Sequence, residues 1–400
     1  FSGDLGRVAG DPAAMLSGNP PLVHVLREAL AEDAAGREGS KKEARRRAQA
    51  ALQTLLGYLK QHGGEKNPPP EHVIVYDEAQ RAWDEETGKK LLGRLRSEPA
   101  LFLEIMSRHL WSCLVCLVGP GQEINRGEGG LPLWGQALSE AAAAGIRWRV
   151  HAAGEAIKGD PATTGNGLFV GVPPRGVEVI EESDLHLSTG LRAYRNADHG
   201  WWVSAVLRGE IAGASDLASR MTEPPAYITR DLDTLRTWLR KNQRGGRRVG
   251  LLTSSGAAIR LISEGIPLSP RSSELDAIAH WFLRPVGDFR SSNALETPLT
   301  EFACQGLEID YVGLCWGGDL IWNGDQWLAR TMRAPKWQII RSDETKQYRL
   351  NAYRVLLTRA RAGLAIFVPN GDQNDASREP SELQRTWEVL CASGCKVLGN

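Results

Sequence analysis

Apolar positions along this chain alternate between two habits. Short unbroken runs mark strands buried on both faces, and longer stretches with apolar residues three and four apart mark helices. Val73–Tyr76 is such a run, as are Cys113–Val118, Tyr311–Trp316 and Leu364–Val368. β-Branched and aromatic residues without polar alternation are the signature of a parallel sheet. Helical periodicity predicts helices over Leu22–Glu32, Ser40–His62, Thr87–Leu110 and Trp134–Ala144, with a strand at Ile146–Val150. Ser40 is placed to cap the second helix, whose Ala44, Ala48, Leu52, Leu55, Leu56 and Leu59 share one face.

The rhythm then repeats. A strand is predicted at Asp184–Leu187 and a helix near His199–Leu207. Strand Ala226–Thr229 and helix Asp231–Lys241 follow, then strand Gly250–Thr253 and helix Gly256–Ser263. Strands alternating with helices predict an α/β fold with right-handed crossovers. The stretch His151–Gly176 is rich in Gly and Pro and marks a boundary. The expected organisation is therefore a first lobe over 1–155, a linker over 156–183 and a second lobe over 184–400.

Composition narrows the picture. Lys and Arg number 48, as do Asp and Glu, so no global charge announces a nucleic-acid binder. Basic stretches are local: SKKEARRR at Ser40–Arg47, and Arg240–Arg248, read as a basic flexible loop. Each is either a solvated surface or a phosphate contact. The six cysteines form no disulfide framework, and Cys113-x-x-Cys116 lies within an apolar strand, which favours buried thiols over a metal pair. No signal peptide and no apolar run near eighteen residues is seen, so no membrane span is expected and a cytoplasmic location fits. Of the thirteen Trp, Trp281, Trp316, Trp322, Trp327 and Trp337 gather near one segment. They read either as core or as stacking platforms for single-stranded nucleic acid.

Three polar clusters carry the chemistry. HVIVYDEAQ, His72–Gln80, sets Asp77 and Glu78 at the end of a buried strand. A carboxylate there can hold Mg²⁺ and its neighbour can orient or deprotonate an attacking water, while acidic residues also simply favour a helix N-terminus. TEFACQGLE, Thr300–Glu308, precedes the strand Tyr311–Trp316, and YRVLLTRAR, Tyr353–Arg361, runs into Leu364–Val368. Amide, carboxylate and guanidinium groups at strand ends suit a nucleotide polyphosphate, with ligands expected outside the carboxyl ends of the strands.

Together these segments resemble the motifs of superfamily 1 helicases. DEAQ resembles motif II and LVGPGQEI, Leu117–Ile124, motif III, with Gln122 as its glutamine. TEFACQGLE resembles motif V and YRVLLTRAR motif VI. The series LSGNPPLVHVLREAL, YDEAQRAWD, VGPGQEINRGEGGL, YITRDLDTLRTWLR, GLLTSSGAAIRL and NAYRVLLTRARAGLAIFVPNGD is similar, in order, to the Schlafen group 3-like DNA/RNA helicase domain over almost the whole chain.

The resemblance implies two RecA-like parallel-sheet lobes and an ATP hydrolase of helicase or translocase type. ATP and Mg²⁺ would be the cofactors, bound in a cleft between the lobes. Glu78, Gln122 and Arg359 would be catalytic, Arg359 as the arginine finger. Asp77 and Glu78 would serve the metal. Asp77, Gln80, Arg260, Gln305, Gly306, Glu308 and Arg354 would bind nucleotide, Arg260 on loose spacing that an ordinary helix arginine also meets. DNA or RNA, single-stranded, would be the partner. Binding without productive turnover, and a motor joined to an effector such as a nuclease outside this chain, remain the alternatives.

One departure stands out. No GxxxxGK[ST] run exists to cradle phosphates, and the chain begins at Phe1. The expectation is a fragment starting downstream of that loop and of its strand. A paralogue that lost them is the other account.

Overall fold

The computed structural model describes residues 13–38, 40–119, 130–159, 167–169, 171–186 and 198–399. The chain divides into two compact units, Phe1–Ser188 and Thr189–Asn400.

In the first unit, β1 (Ala13–Ser17) leads to α1 (Pro20–Glu38) and α2 (Lys41–Ala51), then β2 (Leu52–Thr54) and α3 (Leu55–His62). β3 (Val73–Asp77), α4 (Glu85–Leu92), α5 (Glu98–Met106) and β4 (Cys113–Cys116) follow. The unit continues with α6 (Leu131–Ala143), β5 (Trp148–Ala152), α7 (Gly154–Lys158) and β6 (Val177–Glu181). β2, β1, β3 and β4 form a parallel sheet in that order, and β5 pairs with β6, also parallel. Leu16, Ile74 and Tyr76 of the sheet pack with Leu59, Phe102, Ile105 and Met106 in one apolar core.

Three sequence expectations fail here. The single helix over Ser40–His62 is interrupted by β2, because Leu52–Thr54 pairs with Met15–Ser17 and the ladder overrides helical periodicity. Ser40 does cap α2, accepting from the Glu43 amide at 3.4 Å. The helix over Thr87–Leu110 is two helices. Gly93 at φ 70° ends α4, and Ser97 restarts the chain by capping α5. Ser183–Leu185 is a 3₁₀ turn rather than a strand, and the strand of this region lies instead at Val177–Glu181.

The second unit opens with α8 (His199–Arg208) and α9 (Ile211–Arg220), then β7 (Tyr227–Thr229), α10 (Leu232–Asn242), β8 (Val249–Thr253), α11 (Ala258–Leu261) and α12 (Leu275–Leu283). Next come β9 (Leu299–Thr300), α13 (Glu301–Cys304), β10 (Ile309–Cys315), β11 (Leu320–Trp322), β12 (Trp327–Arg333) and β13 (Lys336–Ile339). α14 (Asp343–Leu357), β14 (Ala360–Phe367), α15 (Pro380–Ala392) and β15 (Lys396–Val397) complete it.

Its main sheet is parallel throughout, in the order β15-β7-β14-β10-β8-β9. β11, β12 and β13 make a separate antiparallel sheet. β8 is buried along its whole length, as its unbroken apolar run requires. Gly250 lies so close to Trp281 that a Cβ would come within 2.5 Å of the indole, so glycine is required there.

The tryptophans resolve as core. Trp281, Trp316, Trp322 and Trp327 are buried, while Trp337 is half-buried. Indole N–H groups of this unit donate to backbone carbonyls: Trp202 to Ser393, Trp281 to Thr297, Trp316 to Leu320 and Trp327 to Val206. Burial of an indole requires such a partner. Cys113 departs from expectation: it is exposed on β4, with no neighbouring strand described on that side.

Candidate functional site

In the first unit the polar residues lie at the carboxyl end of the sheet. The register sets Ser17 opposite Asp77 on one side and Thr54 on the other. Asp77 ends β3, and Glu78 follows at φ 58°, a left-handed conformation that a glutamate rarely takes. The surrounding bonds hold it there. Ala79 N donates to Leu117 O at 2.9 Å, and the Trp134 indole donates to Ala79 O at 2.7 Å. Gln80 is buried and uses both ends of its amide: Nε2 donates to Glu78, and Oε1 accepts from Gly119 N at 3.1 Å. It therefore ties the acidic turn to Gly119. Gln122 lies outside the described residues.

Asp77 and Glu78 are the carboxylates of this turn. Among the described residues no three His, Cys, Asp or Glu come together as a metal cage. One or two carboxylates with a nearby hydroxyl fit Mg²⁺ carried in with phosphates, which needs few protein ligands. The donor set does not fit a structural zinc.

The second unit places its motif residues at the opposite end of its sheet, where ligands at the carboxyl ends were expected. Gln305, Gly306 and Glu308 precede β10, and Thr358 and Arg359 precede β14, so all five line the amino edge. The two segments are stitched together there: Ile309 N donates to Arg359 O at 3.2 Å. Gly306 sits at φ 76°, which lets the chain turn from α13 into β10. Gln305 is buried. Arg359 is only 3% exposed, its Nε donating to Val355 O at 3.0 Å and its Nη2 to Thr358 Oγ1 at 3.3 Å. Its guanidinium stands within electrostatic reach of Cys304, whose thiol burial pushes up to about 12 despite that cation.

Arg361, two residues on, is exposed and pairs with Glu308 at 2.9 Å. Arg359 sits just before β14 and is buried, whereas Arg361 lies within the strand and is exposed. Arg354 is turned elsewhere. Its Nη1 donates to Ser204 Oγ at 2.7 Å, fastening α14 to α8, and burial followed by the nearby Arg208 lowers its pKa.

Arg260 does not join these residues. It follows β8 at the carboxyl edge, paired with Asp375. Arg378 shares Asp375 and also binds Glu264 and Asp372. The loop read as flexible at Arg240–Arg248 ends in a built contact. Arg248 donates to Leu283 O and Arg284 O, and its own amide donates to Asp310. The basic start of α2 is likewise paired, Arg45 with Glu28 and Arg46 with Glu43.

The carboxyl edge of the second unit also holds a buried polar cluster that sequence reasoning missed. Asp319, 0% exposed, accepts from Ser254 Oγ at 2.5 Å and Tyr353 Oη at 2.6 Å, and pairs with Arg349 at 2.7 Å. Beside it Glu301, also buried, accepts from the amide and hydroxyl of Ser255. Burial raises the Glu301 pKa, the Ser255 bonds opposing it. The one available signal was the four-residue spacing of Arg349 and Tyr353, which puts both on one face of α14.

The family model for the Schlafen group 3, DNA/RNA helicase domain matches residues 5–370, nearly the whole chain. The chain belongs to that family. No curated protein matches it. Membership in the Schlafen group 3 helicase-domain family gives the protein a helicase-like, nucleic-acid-related function at a coarse level, and its two parallel-sheet units are those of RecA-like lobes. No helix among the described residues is long and apolar enough to cross a membrane.

Proposed function

We propose that the protein is an ATPase of helicase or translocase type, driven by single-stranded DNA or RNA. The observation that carries this reading is Glu78. A glutamate held at φ 58° directly after the aspartate that ends β3 is strained by roughly 1–3 kcal/mol. The hydrogen bonds on both sides of it maintain that strain. Such strain accumulates where a side chain must be aimed.

Glu78 then orients the attacking water and accepts its proton. Gln80 donates to the Glu78 carboxylate and fixes its direction. Asp77, with the Ser17 hydroxyl level with it, would hold Mg²⁺, which when bound neutralises phosphate charge. In the second unit Arg359 stabilises charge developing on the transferred phosphoryl group, while Gln305, Gly306 and Glu308 shape the nucleotide contact.

A second reading, nucleotide binding without turnover, is favoured by one observation. The Arg359 guanidinium is turned onto its own helix end, so the finger role requires it to leave Val355 O and Thr358.

Steady-state ATP hydrolysis with and without single-stranded DNA and RNA separates the two. Glu78→Gln should lower the stimulated rate by about 10²–10⁴-fold, the range for loss of a general base, while nucleotide affinity stays within a few-fold. Undiminished turnover in that variant would remove the assignment of Glu78. A parent rate that neither polymer stimulates would favour the second reading.

A further inference from the structure

From Gln326 to Ser342 the chain carries Arg330, Arg333, Lys336 and Arg341 and no carboxylate. β12 and β13 fold this segment into a hairpin whose two-residue turn is Ala334-Pro335. The register pairs Arg330 with Ile339, Thr331 with Gln338, Met332 with Trp337 and Arg333 with Lys336. Facing residues share a side of the ribbon and alternate along it. One side therefore carries Arg330, Met332, Trp337 and the exposed Ile339, and the other Thr331, Gln338, Arg333 and Lys336.

The first side is fastened to the body of the unit. Trp337 Nε1 donates to Ser377 O at 2.7 Å. Arg330 is buried, donates to Gly318 O at 2.7 Å, pairs with Glu382 at 2.8 Å and lies over the Trp337 ring. All four residues of the second side are exposed. No ion pair among the described residues involves Arg333, Lys336 or Arg341, in contrast to Arg260, Arg330 and Arg378 nearby, each matched by a carboxylate. Like charges directly opposed across an antiparallel pair destabilise it, so the arrangement of Arg333 against Lys336 has a cost that no ion pair among the described residues offsets.

We propose that this outward face, Thr331, Arg333, Lys336 and Gln338, binds the phosphate backbone of a nucleic-acid strand. The inference rests on the nucleic-acid-driven reading above and assigns it a surface. The four side chains span about 7 Å along the strands and about 5 Å across them. Arg, Lys, Thr and Gln are residue types that contact phosphates without reading sequence. A protein partner would need an aromatic or aliphatic anchor at the centre of the patch, and this face has none. The binding is therefore sequence-independent and salt-sensitive.

The test is fluorescence anisotropy of a labelled single-stranded oligonucleotide across a salt series, with the parent and R333E/K336E. The variant should bind at least about tenfold more weakly at moderate salt. Its log–log salt slope should be shallower by about 1.4, the value for two lost single-strand phosphate contacts. Hydrolysis measured without nucleic acid should be unchanged. R333Q/K336Q, which adds no new charge, should show the same shallower slope if the charge reversal impairs folding. Equal affinity and slope in parent and variants overturns the hairpin assignment while leaving the ATPase reading intact. Weaker binding with an unchanged slope overturns it too. So does retained nucleic-acid binding alongside loss of an acidic protein partner. A parent that binds no oligonucleotide overturns the nucleic-acid reading itself.

Discussion

Glu78 and Arg359 are the two charged residues on which the proposed chemistry depends, and the protein holds them by opposite means. Glu78 is partly exposed at the carboxyl end of a sheet, in a backbone conformation held by bonds to its neighbours. Arg359 is buried at the amino end of a sheet, just past the end of α14, its guanidinium held by Val355 O and Thr358. One position is constrained through its main chain, the other through its side chain. The difference teaches that a residue type at a strand end does not reveal which restraint it lives under, and that the two should respond differently to substitution.

The sharpest way to test the contrast is at Arg359. Arg359→Ala should reduce the hydrolysis rate by roughly 10³-fold or more with modest change in nucleotide affinity, as loss of an arginine finger does. Arg361→Ala removes only an exposed pair with Glu308 and should cost less than about tenfold. Parallel kcat and KM measurements decide the matter. A reversed order would move the phosphate-facing role to Arg361.

Next in size is the buried cluster that anchors α14. Asp319→Ala leaves Tyr353 without its acceptor and Arg349 without a carboxylate, holding only the Ser254 hydroxyl. Unfolding in urea should show a loss of about 3–5 kcal/mol, the range for breaking a buried ion pair on one side. A loss below about 1 kcal/mol would mean that Ser254 and water replace it.

A smaller and opposite effect is expected at Glu78. Glycine takes φ 58° without steric penalty, so Glu78→Gly should relieve strain. The melting temperature should rise or hold, by up to about 1 kcal/mol of stability, while turnover is lost. A clear fall in melting temperature would show that the Glu78 side chain supports the turn.

The smallest effect concerns His199, whose Nε2 donates to Leu357 O at the end of α14. Burial lowers its pKa below 6.5, the Leu357 bond opposing. The folded form thus resists a proton that the unfolded chain accepts. The stability from neutral His199 is complete above about pH 6.5 and is lost as pH falls through the lower folded value. His199→Gln should flatten the pH dependence of unfolding on the acid side of 6.5, and an unchanged profile would exclude this group as its source.

The alternation of strands and helices was legible because the strands of the parallel sheets read as apolar runs, most clearly β8 and β10, which are buried along almost their whole length. The positions of Asp77, Glu78 and Arg359 at element ends were legible for the same reason. The edge each occupies was legible too, Asp77 and Glu78 after their strand and Gln305 and Arg359 before theirs; what fails for the second pair is the general rule that ligands lie at carboxyl ends. β2 was hidden because three residues carry too little pattern to override the helical spacing around Leu52 and Leu55. Asp319 was hidden because its partners come from two segments distant from it in sequence, Ser254 after β8 and Arg349 with Tyr353 on α14. Gln80 could be located, but not its grip on Gly119, which depends on how β3 and β4 align.

α14 leaves the hairpin at Ser342, is clamped by Arg349 and Tyr353 to Asp319 and Ser254 at one edge of the sheet, and delivers Arg359 to the other. The eight residue steps from Arg349 to Leu357 make an arm of about 12 Å. A tilt of about 5° at the clamp displaces the tip of that arm by roughly 1 Å, a misplacement large enough to cost about 10²-fold in rate. The helix therefore works as a lever arm, and its calibration is set by the four side chains at its fulcrum.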